Sequence, residues 1–194
     1  VNTYEYFKDI TSEELIDDIV DDAFNRVHIM REACASAGLD YDSLFATKNQ
    51  SETLSRVFER VSAEHYSEHL GTEVTTPTSV TEPDLCFVEK ELSLEIKVTA
   101  GDVWTGGSFS KRPGAYLLIS WDKESKNKCF VALTDLQKDD WIPGTDTFYG
   151  TKFPKKRLFE ACQRGEATVL KGSLTAHPSR PGCHVLTKDI VKEA

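Results

Sequence analysis

Asp84, in the dipeptide Pro83-Asp84, and the two charges of Glu95-Ile96-Lys97 are the groups in this chain whose types and spacing suit chemistry on a phosphate ester. Hydrolysing a phosphodiester on a divalent metal takes two or more oxygen ligands on one side of a hard cation such as magnesium. It also takes a polarised water placed in line with the phosphorus. Glu95 and Lys97 stand in the apolar run LSLEIKVT, residues 92–99, which reads as a strand. Side chains two apart on a strand share a face, so Glu95 and Lys97 project together while Leu94, Ile96 and Val98 turn into the core. Charges on such a strand are costly unless they pair with each other or hold a metal.

Residues 84–88 (DLCFV) and 92–98 are expected to pair as an antiparallel hairpin turning near Glu89-Lys90-Glu91. In such a hairpin facing residues have a constant sum. A sum of 179 sets Asp84 opposite Glu95; a sum of 181 sets it opposite Lys97, with Glu95 diagonal to it; an even sum sends Asp84 to the core face. Glu124-Ser125-Lys126 repeats the acid-x-Lys pattern, but in a polar turn rather than an apolar strand.

The elements that must position these groups follow from hydrophobic periodicity. Residues 11–37 read as a helix opened by the capping box Thr11-x-x-Glu14, with Ile10 and Leu15 as its hydrophobic staple and Gly38 as its stop. A second helix is expected over about 51–70, opened by Asn49-x-x-Glu52 and closed by Gly71, with Leu54, Val57, Phe58, Val61 and His65 on one stripe. Short apolar runs at 84–88, 92–99, 115–121 and 129–134 read as strands, with a weaker one near 183–187. Residues 100–114 read as a turn-rich loop, and Pro154-Lys155-Lys156-Arg157 as a first helical turn with Pro near N1. Helices, then strands, then a helix in 194 residues indicate one α+β domain, a mixed central sheet flanked by helices in α/β/α fashion. It divides into a helical part (1–70), a sheet carrying the chemistry (80–135) and a C-terminal segment (136–194).

These residues and their order resemble the PD-(D/E)XK nuclease superfamily, and within it the small type II restriction endonucleases. The resemblance covers Pro83-Asp84, Glu95-Ile96-Lys97, the helix before them and the stretch EIKVTAGDVWTGGSFSKRPGAYLLISWD. It implies a restriction-endonuclease-like fold and a magnesium-dependent, sequence-specific endonuclease on double-stranded DNA, leaving 5′-phosphate and 3′-hydroxyl ends, with manganese able to substitute. It implies that Asp84 and Glu95 bind the metal, with the Ile96 carbonyl as a further ligand, and that Lys97 orients the attacking water and offsets charge on the phosphorane. The family often adds a helical glutamate; Glu59 is the choice here and Glu52 the alternative. One active site per chain and the two-fold logic of palindromic sites favour a homodimer. The alternatives are a structure-specific or nicking nuclease, or a nuclease fold that binds DNA without cutting it.

Charge is distributed to match. Residues 1–70 hold 15 acids and 6 bases, whereas the remainder holds 17 of each. The acidic first long helix therefore cannot face DNA, while the segment 148–192 is locally basic. Ser110, Lys111 and Arg112, in the loop leaving the chemistry-bearing strand, are expected to touch the DNA backbone, with Trp104 or Phe109 as a groove wedge. Lys155, Lys156 and Arg157, at a helix N-terminus, are expected to form a phosphate site. The C-terminal segment from residue 136, and 141–182 most of all, is expected to read the bases.

Other chemistries lack support. His65-Tyr66-Ser67-Glu68-His69 matches H-x-x-E-H, a zinc-protease pattern, but Gly71 ends its helix and His65 continues an apolar stripe. There is no P-loop, G-x-G-x-x-G or G-x-S-x-G, so no nucleotide cofactor and no serine hydrolase is indicated. Five cysteines without a CxxC pair read as reduced, mostly buried thiols. No apolar run is long enough to span a membrane and no leader is evident, so a soluble protein that is not exported is expected; the resemblance to restriction endonucleases implies a prokaryotic cytoplasm.

Overall fold

Four helices come first, and three of them lay apolar stripes on one face of a sheet. The computed structural model describes residues 2–44, 47–77, 82–106, 112–121, 129–143, 150–176 and 184–187. Helix α1 (Thr3–Ile10), unforeseen in the sequence, is capped by Asn2, whose side chain accepts from the Tyr4 amide at 3.1 Å, and it buries Tyr4 and Phe7. Helix α2 (Glu13–Ser36) starts at Ser12, whose hydroxyl accepts from the Leu15 amide at 3.1 Å. Thr11 is therefore not the cap. It closes α1 and is buried, with its hydroxyl 2.8 Å from that of Tyr66, because α1 and α2 meet at a corner over α4. After the short α3 (Tyr41–Leu44), α4 runs from Thr47 to Leu70, so Asn49 lies inside it rather than at its opening. Gly38 and Gly71, at φ 73° and 64°, take the left-handed conformation that stops α2 and α4.

The main sheet has six strands in the order β1-β2-β3-β5-β6-β8: β1 (Val74–Thr75), β2 (Leu85–Phe87), β3 (Leu92–Thr99), β5 (Gly114–Trp121), β6 (Cys129–Leu136) and β8 (Ala167–Lys171). Only β3 and β5 run parallel. Their connection carries β4 (Val103–Gly106), which pairs with β7 (Thr151–Pro154); residues 100–114 thus contain a strand that local composition did not reveal. Helix α5 (Lys155–Arg164) follows β7, with Pro154 at its N-cap rather than at N1, and leads into β8. The sheet therefore extends past 80–135 on both sides. A separate hairpin joins β9 (Ser173–Ala176) to β10 (His184–Thr187).

Strand alternation divides the interior in two. Leu94, Ile96, Ala115, Leu117, Ile119, Val131 and Leu133 face the stripes of α1, α2 and α4. Tyr116, Leu118, Phe130 and Ala132 face the other way, onto Trp104, Trp141, Phe153 and Leu158 of β4, β7, α5 and their approaches. The protein is thus α+β, with a mixed central sheet and helices on both faces. Among the described residues no helix is long and apolar enough to cross a membrane. Of the four described cysteines, all free, only Cys129 is fully buried; Cys34, Cys86 and Cys162 are half-buried, near the ends of helices or on the short strand β2.

Between β8 and β9 the chain turns through Gly172 at φ 72°, where an added Cβ would lie 3.0 Å from the Cys129 carbonyl oxygen. Left-handed backbone and a rigid neighbour act together, so Gly172→Ala is expected to destabilise the protein by roughly 1–3 kcal/mol in urea denaturation.

Candidate active site

The β2–β3 hairpin pairs Leu85 with Leu94, Cys86 with Ser93 and Phe87 with Leu92, a constant sum of 179. It turns through Val88–Lys90 in a 3-10 conformation and Glu91 in the left-handed region. Continued by one residue, this register sets Asp84 opposite Glu95. Leu94 and Ile96 are in the core and Val98 packs against it, while Glu95 and Lys97 share the opposite side.

The three charged groups meet. Lys97 Nζ donates to Asp84 Oδ2 at 2.9 Å, to Glu95 Oε2 at 2.9 Å and to the Ile96 carbonyl at 3.2 Å. Asp84 Oδ2 also accepts from the Ile96 amide at 2.8 Å. The reason is local: β2 begins only at Leu85, so the Asp84 side chain supplies the acceptor that a longer strand would have provided. Asp84 is thereby held by backbone as well as by charge.

From α4, Glu59 approaches the same place. It is 7% exposed, and its carboxylate accepts from Arg56 Nη1 at 2.8 Å and from the Ser55 hydroxyl at 3.3 Å. Burial, and then the charge of Asp84, push the Glu59 carboxyl above its ordinary value, against the pull of Arg56. Glu52 is exposed and interacts with Arg56 only through its charge, so Glu59 is the helical acid beside Asp84. Glu95, 9% exposed, is likewise raised by burial, which Lys97 opposes and Asp84 reinforces. Burial alone would lower Lys97, but Asp84 and Glu95 outweigh it and the ammonium is favoured.

The raised Glu59 has a consequence for stability. A carboxyl with a folded pKa above its unfolded value favours folding while protonated and disfavours it once ionised. Glu59→Gln is therefore expected to melt at a higher temperature than wild type near pH 7.5, and the difference should shrink as pH falls toward the ordinary carboxyl range. Melting curves at the two pH values check this.

Arg56 and Tyr116 belong to this neighbourhood and were not singled out in the sequence. Arg56 was detectable from its i, i+3 spacing to Glu59. Tyr116 was not, because it meets Glu95 only through the parallel β3–β5 register. Its hydroxyl donates to the Arg112 carbonyl at 2.8 Å, fixing the backbone of Arg112, and Arg112 is close enough for its charge to act on Tyr116 and Cys86.

The other expected DNA contacts fare differently. Trp104 is not a groove wedge: it is 0% exposed, donates through its indole N–H to the Ile119 carbonyl at 2.8 Å, and packs beside Phe153, because β4 folds under the sheet. Phe109, Ser110 and Lys111 lie outside the described residues. The cations that open α5 do not converge. Lys155 is only 5% exposed, Lys156 reaches toward Glu160 at 4.0 Å, and Arg157 bonds to the Asp140 carbonyl. The surface cleft there, lined by Asp135, Asp140, Glu160 and Glu166 as well as Arg157 and Arg164, is of mixed charge. His65 packs against Asp22 at 3.3 Å, in a network with Arg26 and Glu64 that ties α2 to α4.

Among the described residues no three His, Cys, Asp or Glu side chains converge as a metal cage. The donor set at Asp84 and Glu95 is nonetheless one that a hard cation uses. Two carboxylate oxygens and a backbone carbonyl, all oxygen, are directed at a single positively charged atom. A scan against protein-family models finds no match to the chain, and a search of curated proteins finds none either.

Proposed function

We propose that this protein is a magnesium-dependent endonuclease of the PD-(D/E)XK type that cuts double-stranded DNA at specific sequences. The observation that carries the reading is the convergence of Asp84 Oδ2, Glu95 Oε2 and the Ile96 carbonyl on Lys97 Nζ. A mixed sheet with helices on both faces is compatible with a restriction-endonuclease-like fold. Asp84, Glu95 and the Ile96 carbonyl would hold the magnesium, with manganese as a substitute and Glu59 as an outer carboxylate. The ion would polarise the phosphoryl group and lower the pKa of a bound water.

The remaining work falls to the chain's own groups. The Ile96 amide orients Asp84, and Lys97 positions the attacking water and offsets charge building on the phosphorus. Arg112, steadied by Tyr116 beside the carboxylates, binds a flanking phosphate. With one such site per chain, cutting both strands calls for a homodimer, and a restriction role would place it in a prokaryotic cytoplasm.

The test incubates the full chain with plasmid and genome-length unmethylated DNA, in magnesium and in chelator. Discrete fragments that need magnesium and carry 5′-phosphate ends are expected. A magnesium-dependent smear, or a single nick in plasmid, would replace sequence-specific duplex cleavage with a nonspecific or nicking activity. DNA binding without cleavage would leave a binding module.

A further inference from the structure

The oxygens that suit a metal are already occupied by the protein's own cation. The Lys97 ammonium donates three hydrogen bonds, to Asp84 Oδ2, Glu95 Oε2 and the Ile96 carbonyl, at 2.9, 2.9 and 3.2 Å. A divalent ion using those oxygens would sit at about 2.0–2.6 Å from them. It would fall almost on the ammonium, and two cations at that separation in a half-buried site repel strongly. We infer that the seat of the Lys97 ammonium and the divalent-cation site are one and the same, so that metal enters by exchange with Lys97. This rests on the reading of the site as a metal-dependent nuclease.

Two features make the exchange workable. Asp84 does not depend on Lys97 for its position, because the Ile96 amide holds the same Oδ2 at 2.8 Å. The acceptor cluster thus survives the departure of the lysine. Lys97 also has a way out: its side chain is 15% exposed, and its four-carbon stem is flexible. Expelled from the carboxylates, the ammonium swings toward solvent, on the side from which a phosphate must approach. Loading the metal and freeing Lys97 for the substrate then become a single event, and a site without metal keeps its own cation masked.

The decisive measurement follows the lysine rather than the reaction. The full chain is reductively methylated with and without calcium, and modification of each lysine is read by peptide mass spectrometry. Manganese binding to wild type and to Lys97→Met is followed in parallel by electron paramagnetic resonance. Calcium is expected to raise modification of Lys97 several-fold while Lys90 and Lys156 stay constant, and Lys97→Met is expected to bind manganese about tenfold more tightly. Calcium that displaces manganese from wild type but leaves Lys97 modification unchanged or reduced would overturn the exchange and leave the nuclease reading standing. No manganese bound by either protein would overturn both. Should Lys97→Met fail to fold, the calcium response of wild-type Lys97 decides alone.

Discussion

Lys97→Ala is expected to cut DNA in magnesium roughly 10²–10⁴-fold more slowly than wild type, the range for losing a group that positions or stabilises charge in the transition state. The fall should appear in kcat in single-turnover cleavage, with DNA affinity in calcium little changed. Asp84→Asn should fail for a different reason. Asp84 is a proposed ligand of the cation and the variant would hold the ion less tightly, so the variant's activity should recover in part at high magnesium whereas that of Lys97→Ala should not. If Lys97 merely neutralised two buried carboxylates, Lys97→Ala would lose stability and keep its rate per folded molecule.

Trp104→Ala is expected to lose about 3–5 kcal/mol of stability, the usual cost of removing a large aromatic side chain from a closed core. Trp104 is fully buried among residues of the second core, and its N–H is bonded to the Ile119 carbonyl. Trp104→Phe keeps an aromatic ring but removes the bond to that carbonyl, at a cost of about 1–3 kcal/mol. Urea denaturation gives both values. Trp104→Phe should still cleave DNA with unchanged affinity; a loss of affinity without loss of stability would return this residue to the DNA surface.

What the sequence disclosed was local. The β2–β3 hairpin could be read because its alternation, its turn and the positions of Asp84, Glu95 and Lys97 lie within a few residues of one another, and only an odd register joins them. The hidden features depend on distant partners. Helix α1 is eight residues long, too short to persist alone, and it forms because Tyr4 and Phe7 have a core to enter. Strand β4 looked like loop because its ladder partner, β7, lies far along the chain. Lys155, Lys156 and Arg157 looked like an anion site because their charges are adjacent in sequence, but each leaves the first turn of α5 in its own direction.

The single parallel pairing in an otherwise antiparallel sheet bears on how the molecule avoids misassembly. The pairs β2–β3 and β5–β6 close across short connections, whereas β3 meets β5 only after residues 100–113 have crossed over. Until that crossover docks, β3 is an open edge carrying LSLEIKVT, a β-prone segment that could recruit a second chain. Glu95 and Lys97 are the charges in the middle of that edge. Parallel, in-register copies of the strand would set Glu95 on Glu95 and Lys97 on Lys97, the like-charge contact by which gatekeeper residues disfavour stacking. Apolar replacements for this pair would therefore favour aggregation during folding, quite apart from their effect on chemistry.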